Sequence, residues 1–172
     1  MSALVILGDT SGSITLQAPA AAGSGTIYTL PAATGTVMVS GNMPVFSASI
    51  TTITSISNNT FTKITYDNEI FDTNNNYTDS KFTPTIAGYY YLTASLSGLS
   101  SFGTNAPIAI FKNGGWDSVG VNVNGYATVN ALFYANGTTD YFEVYQYQNS
   151  GTTQVTSAQS QARFSGVLVR AA

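Results

Sequence analysis

The chain has no cysteine and no histidine among its 172 residues. The first absence excludes disulfides, thiolate chemistry and sulfur-ligated metals. The second removes the side chain that most readily shuttles protons near neutral pH. Charge is also scarce: 8% of residues are charged and the net charge is -3, against roughly a quarter charged in an average soluble domain. Solubility must rest on Ser, Thr, Asn, Gln and Gly. The five basic residues, Lys63, Lys81, Lys112, Arg163 and Arg170, are scattered, so there is no basic stripe of the kind that neutralises a run of phosphates, and nucleic acid is not an expected partner. No stretch approaches the roughly 20 apolar residues of a membrane span. The opening Met1–Leu7 has no basic flank and too short an apolar run for a signal peptide, so neither secretion nor membrane insertion is expected. Lysis or assembly into a larger particle is the expected route outside a cell.

Composition changes near Gly41–Asn42. Residues 1–41 hold one charged side chain, Asp9, and one aromatic, Tyr28. They also carry a degenerate repeat, in which Ser13-Ile-Thr-Leu-Gln-Ala-Pro19 is echoed by Thr26-Ile-Tyr-Thr-Leu-Pro31, each copy ended by a proline that stops a strand. A flexible Gly/Ala linker is one reading of this segment. The other is favoured by Ile14, Leu16, Ile27 and Leu30, which are too hydrophobic for a spacer: short strands that find partners in sister chains or in a host assembly. Residues 1–41 are therefore expected to be an attachment and oligomerisation segment that contacts sister chains or other proteins of an assembly, and 42–172 the folded head.

Beyond Gly41 the apolar pattern has period two, the signature of strands with one buried face. Expected strands cover Phe46–Ile50, Phe61–Tyr66, Tyr89–Leu96, Ala106–Phe111, Tyr126–Tyr134, Asp140–Tyr147 and Arg163–Val169, with Asp72–Ser80 as a polar surface loop. Lys112-Asn-Gly-Gly115 has the residues of a tight hairpin, and Asn136-Gly137 reads as the best hairpin signal in the chain. Such a series suits an all-β sandwich of two antiparallel sheets. In the segment 141–147, Phe142 and Val144 supply one apolar face while Tyr141, Tyr145 and Tyr147 share the other with Glu143. Three tyrosines on one outward face suit a subunit interface; a ligand-facing patch and an ordinary half-exposed cluster are the alternatives.

Several phrases resemble a known family. Val45-Phe-Ser-Ala48, then Thr60-Phe-Thr-Lys63-Ile64, then Tyr66, Asp72, Tyr77, Phe82, Gly88 and Tyr90 in order, and finally Phe164-Ser-Gly166-Val-Leu168, are similar to the recurrent phrases of C1q-like domains. These are the jelly rolls of the C1q and tumour-necrosis-factor superfamily. Here the Tyr77–Phe82 interval is shorter than the family's, and Ala94 stands where a late aromatic is expected, so the shape of that loop is not carried over. Residues 1–41 resemble the strand-and-Pro/Ala repeats of bacteriophage tail-fibre proteins. Together the resemblances imply a jelly-roll head, a homotrimer, and residence in a phage particle.

Sites for chemistry are sparse. Asp72-Thr-Asn74-Asn-Asn76 imitates the start of a calcium loop, but Tyr77 and Thr83 stand where that loop needs Gly and Glu, so an Asx-rich turn is expected. Some C1q-like domains hold calcium near the trimer apex, and the resemblance leaves an ion at a residue such as Asp117 open; no other cofactor is expected. Asp67, Glu69 and Asp72 supply carboxylates without a visible groove for glycoside hydrolysis, and no nucleophile has a recognisable activating arrangement, so enzyme activity is not expected. Trp116, the sole tryptophan, lies beside Asp117. Its indole either plugs the end of the sandwich or stacks on a sugar. The expectation is a virion structural protein: a trimeric short fibre, fibre tip or decoration protein. The alternative is a receptor- or glycan-binding adhesin that recognises a host surface glycan or protein.

Overall fold

The structure is a computed structural model that describes residues 3–7, 12–17, 27, 38–98, 102–103, 105–158 and 161–172. It divides into two units, Met1–Gly35 and Thr36–Ala172. In the first, β1 (Ala3–Leu7) and β2 (Ser13–Gln17) pair antiparallel, with Ile6 opposite Ile14 and Leu4 opposite Leu16. Ile6, Leu7, Leu16 and Ile27 are exposed within the chain. Leu30 lies outside the described residues.

The second unit contains β3 (Val45–Ser49), β4 (Ser55–Ile56), β5 (Thr62–Lys63), β6 (Asn68–Asp72), β7 (Tyr77–Thr78), β8 (Lys81–Phe82), β9 (Gly88–Ser97), β10 (Ile108–Lys112), β11 (Gly115–Val119), β12 (Val121–Val123), β13 (Tyr126–Ala135), β14 (Phe142–Gln146), β15 (Gln154–Val155) and β16 (Arg163–Ala171). One sheet runs β11-β10-β14-β8-β7, with β5 also on β14; the other runs β12-β13-β9-β16-β3-β6. All pairings are antiparallel. Consecutive strands repeatedly fall in different sheets, which makes this a jelly-roll sandwich. None of the described residues forms a helix long and apolar enough to cross a membrane.

Alternation builds the core. Along β9, Tyr90, Leu92, Ala94 and Leu96 are buried while Tyr89 and Tyr91 are exposed, as a half-buried strand requires. Phe46 sits at the centre, stacked 4.2 Å from Phe82 and 5.1 Å from Tyr77, with Phe164 edge-on at 4.9 Å. The motif residues belong to this network. The Tyr77 hydroxyl donates to the Tyr66 carbonyl at 2.9 Å, and the Tyr66 hydroxyl to the Ser95 carbonyl at 3.0 Å. Gly88 has no room for a side chain, since a Cβ there would collide with the Arg170 carbonyl oxygen. Met38 packs against the core, and the Gly41 carbonyl accepts from Asn74 at 3.1 Å. Residues 38–41, which composition grouped with the N-terminal segment, thus lie on the head.

Two expectations are corrected. Asn136-Gly137 does not close a hairpin: β13 pairs with β9 and β12, while β14 pairs with β10, β5 and β8. The turn carries the chain from one sheet to the other. The Asn136 side-chain oxygen accepts from the amides of Thr138, Thr139 and Asp140 at 2.9, 2.9 and 3.1 Å, and the Asp140 carboxylate accepts from the Asn136 amide at 3.0 Å. These bonds satisfy a loop backbone without a ladder partner. The segment 72–80, in turn, is not wholly a surface loop. It contains β7, and Tyr77 is buried because the Asp72 carboxylate, accepting from the Tyr77 amide at 2.7 Å and the Asn74 amide at 3.2 Å, folds the chain back over the core. By contrast, Asn113-Gly114 does close the β10–β11 hairpin, with φ of 53° and 81°, the left-handed pair that a two-residue turn needs.

Candidate functional site

The two outer faces of the sandwich differ in chemistry. On the six-stranded β12-β13-β9-β16-β3-β6 sheet, the register aligns Val45 with Val167, Val167 with Tyr91, and Tyr91 with Leu132. This apolar row crosses four strands. Tyr89 and Tyr134 are aligned beside it, with rings 5.6 Å apart. Tyr89, Tyr91, Leu132, Tyr134 and Val167 are all among the exposed large hydrophobics. The next row is Ser47, Ser165, Thr93 and Asn130, small and uncharged, with the Ser47 and Ser165 hydroxyls 2.8 Å apart. Arg170 borders the row, in register with Tyr89, and the row itself is contiguous, apolar and without charge.

The opposite sheet carries the three tyrosines singled out in the sequence, and each is engaged within its own chain. Tyr145 stacks on Phe111 at 4.0 Å and donates to the Glu143 carboxylate at 3.2 Å. Burial first, and then that carboxylate, push the Tyr145 hydroxyl pKa up. Tyr147 packs against Phe61 at 5.3 Å and donates to the Asn59 side-chain oxygen at 3.1 Å. Lys81 lies 5.4 Å over the Tyr141 ring. All three are half-buried, so they offer less free apolar area than the Tyr91 row.

Trp116 is 66% exposed, which rules out a core plug. It lies opposite Phe111 across the β10–β11 ladder, at a bulge where Asp117 is the extra residue. That bulge, a device that re-aims side chains, left no sign in the sequence. The indole leans on Phe61 at 5.9 Å, and Phe61 in turn touches Phe111 at 5.4 Å. Glu143 and Lys63 form an ion pair of 2.7 Å within the same face. Neither Phe61 nor Phe111 was singled out from the sequence. Strand alternation alone does not reveal that residues fifty apart share a face.

Asp67, Glu69 and Asp79 line one cavity together with Tyr66, Tyr77 and Ser80. Asp67 accepts from the Thr51 amide at 2.6 Å and the Thr51 hydroxyl at 2.8 Å. Desolvation opposes its ionisation, but the hydrogen bonds from Thr52 and Thr51 outweigh it and hold the carboxyl down at about 2. A depressed folded pKa contributes stability that is present above the unfolded value and is lost as pH falls through the folded one. The melting temperature is therefore expected to drop between about pH 4 and pH 2, and Asp67→Asn to lessen that drop; a thermal melt series over this range checks both. Asp72 is occupied by the backbone amides described above, in an Asx turn. Among the described residues no group of three or more acidic side chains is placed to hold a metal ion.

No family profile and no curated protein matches the sequence. The fold does match solved structures. Murine APRIL is similar with a TM-score of 0.58 at 12% identity, covering 74% of this chain and 99% of that one. The globular domain of zebrafish complement 1qA aligns with a TM-score of 0.52 at 15% identity, covering 75% and 99%. PRD1 vertex protein P5 aligns with a TM-score of 0.52 at 13% identity, covering 76% and 98%. At these identities the likeness concerns the fold alone: the head of this chain shares the jelly-roll sandwich of these structures.

Proposed function

We propose that the protein is a trimeric virion structural protein, a short fibre, fibre tip or decoration protein, whose head associates through the β12-β13-β9-β16-β3-β6 sheet. The observation that carries this reading is the uncharged apolar row Val45, Val167, Tyr91 and Leu132 on the outside of that sheet. Burying such side chains stabilises association by roughly 1.5–3 kcal/mol for each one fully removed from water. A trimer interface here replaces the one expected at Tyr141, Tyr145 and Tyr147, whose rings already have partners within the chain. The particle context is supported by the likeness to a vertex protein and by the tail-fibre-like repeat of the N-terminal segment.

The N-terminal unit fits the attachment role. A lone two-stranded hairpin is marginal in water, and among the described residues β1 and β2 pair only with each other and expose Ile6, Leu7 and Leu16, which a neighbouring protein in the particle can pair with or cover. Among the described residues, by contrast, the core lies between Met38 and Ala171. Residues 36–172 expressed alone should therefore fold and trimerise but fail to enter particles in competition with the full-length protein. Equal incorporation of both would remove the attachment role.

The alternative, an adhesin that recognises a host surface, draws on the exposed Trp116 and its aromatic surroundings. Particles that assemble without the protein yet fail to adsorb would favour it. Unstable or missing particles would favour the structural role.

A further inference from the structure

The face that the proposed trimer leaves outward is the sheet bearing Trp116. Four of its rings form a rigid bed: Phe61 touches Phe111 at 5.4 Å and Tyr147 at 5.3 Å, and Phe111 stacks on Tyr145 at 4.0 Å. These four are half-buried, and Trp116 rests on the bed with most of its surface in water. Its backbone is fixed in a ladder opposite Phe111, so the indole is held by a strand and by a neighbouring ring. Exposing the largest apolar side chain of the chain on such a support costs free energy that an ordinary surface residue would not, and none of the described residues covers it.

We infer that this platform is a binding site for a neutral saccharide, stacked on the Trp116 indole. Three features select that class. First, the negative face of an aromatic ring attracts the weakly positive C–H edges of an apolar surface, and one face of a pyranose ring is a patch of axial C–H groups of about the indole's size. Second, the polar groups around the bed are an amide and hydroxyls, Asn59, Tyr147 and Tyr145, which exchange hydrogen bonds with sugar hydroxyls. Of the charges near it, Lys63 and Glu143 neutralise each other at 2.7 Å, and the exposed Asp117 follows Trp116 at the bulge, which disfavours an anionic ligand and leaves a carboxylate that can accept from sugar hydroxyls. Third, one exposed ring on a half-buried bed offers far less than the roughly 800 Å² that each partner contributes to a standard protein interface. The size suits one or two sugar units, not a protein partner.

The inference rests on the proposed trimer only in that this sheet must face outward. Trp116 is the sole tryptophan, so its fluorescence reports on the site directly. Full-length protein is titrated with neutral hexose and N-acetylhexosamine oligosaccharides, and in parallel with uronate-containing ones, while light scattering records the mass of the same samples. The expected result is a saturable shift of tryptophan emission with at least one neutral oligosaccharide. Saturation-transfer NMR should then show Trp116→Ala weakening that binding roughly tenfold or more, as truncating a central aromatic anchor does, and Trp116→Phe restoring most of it, both with unchanged mass and melting temperature. No response to any neutral oligosaccharide at millimolar concentration, a response only to the acidic ones, or undiminished binding by Trp116→Ala would each overturn the site. A monomeric mass would contradict the trimer and leave the fluorescence result to be judged independently.

Discussion

Tyr91→Glu is expected to turn the protein into a monomer with its sandwich intact. Tyr91 lies at the middle of the apolar row, between Val167 on one neighbouring strand and Leu132 on the other. Its side chain is exposed while those of Tyr90 and Leu92 on either side are buried, so the substitution leaves the core alone. In a trimer built on this face, three carboxylates would be brought near one another and away from water. Each costs on the order of several kcal/mol to desolvate, and their mutual repulsion adds to that. Association at micromolar concentration should therefore be lost, with far-ultraviolet circular dichroism unchanged. Trp116→Glu places the same charge on the opposite sheet and should remain trimeric. If Trp116→Glu dissociates the protein and Tyr91→Glu does not, the interface lies on the sheet of Tyr141, Tyr145 and Tyr147, as the sequence pattern suggested.

Phe46→Ala is expected to produce the largest loss of stability of any single truncation in the head. Phe46 is fully buried and touches three aromatic rings drawn from different parts of the chain, Tyr77, Phe82 and Phe164. Removing it takes away the transfer energy of the ring and leaves a cavity walled by rigid aromatics that collapse poorly, at a cost of about 3–5 kcal/mol. For a domain of this size each kcal/mol lowers the melting temperature by roughly 2–4 °C, so calorimetry should show a fall of about 6–20 °C. Phe71→Ala, on the exposed face of β6, should change the melting temperature far less. Comparable losses from the two would mean that the core is not centred on Phe46.

These two residues show what the sequence could and could not disclose. Phe46 was legible because period-two alternation marks the inward side of a strand, and the same rule placed Tyr90, Leu92, Phe142 and Val144 correctly. Alternation is local, however, and says nothing of which strand lies beside which. Asn136-Gly137 has the residues of a hairpin turn, yet the loop it opens crosses between sheets because Asn136 and Asp140 satisfy its backbone through their own side chains. β6 and β12 went unread for a related reason. Both are short strands with exposed faces, and a strand without a buried face has no alternation to display.

The outward faces were the least legible part. The tyrosines at 141, 145 and 147 stand out in the sequence, but Phe61, Phe111 and Asn59, which occupy two of them, come from other strands and loops. The row Val45, Val167, Tyr91 and Leu132 is assembled from residues that are unremarkable one at a time. Only the strand order brings them together. Trp116 illustrates the same limit, since its exposure depends on the bulge at Asp117 and on the ring of Phe61 beneath it.

The proposed trimer is held by the apolar row of Tyr91, with Arg163 and Arg170 towards the margins of the same face. Sedimentation equilibrium of the purified full-length protein at micromolar concentration should give a single species of three times the 18.0 kDa chain mass. A species of 18.0 kDa under those conditions would overturn the trimer.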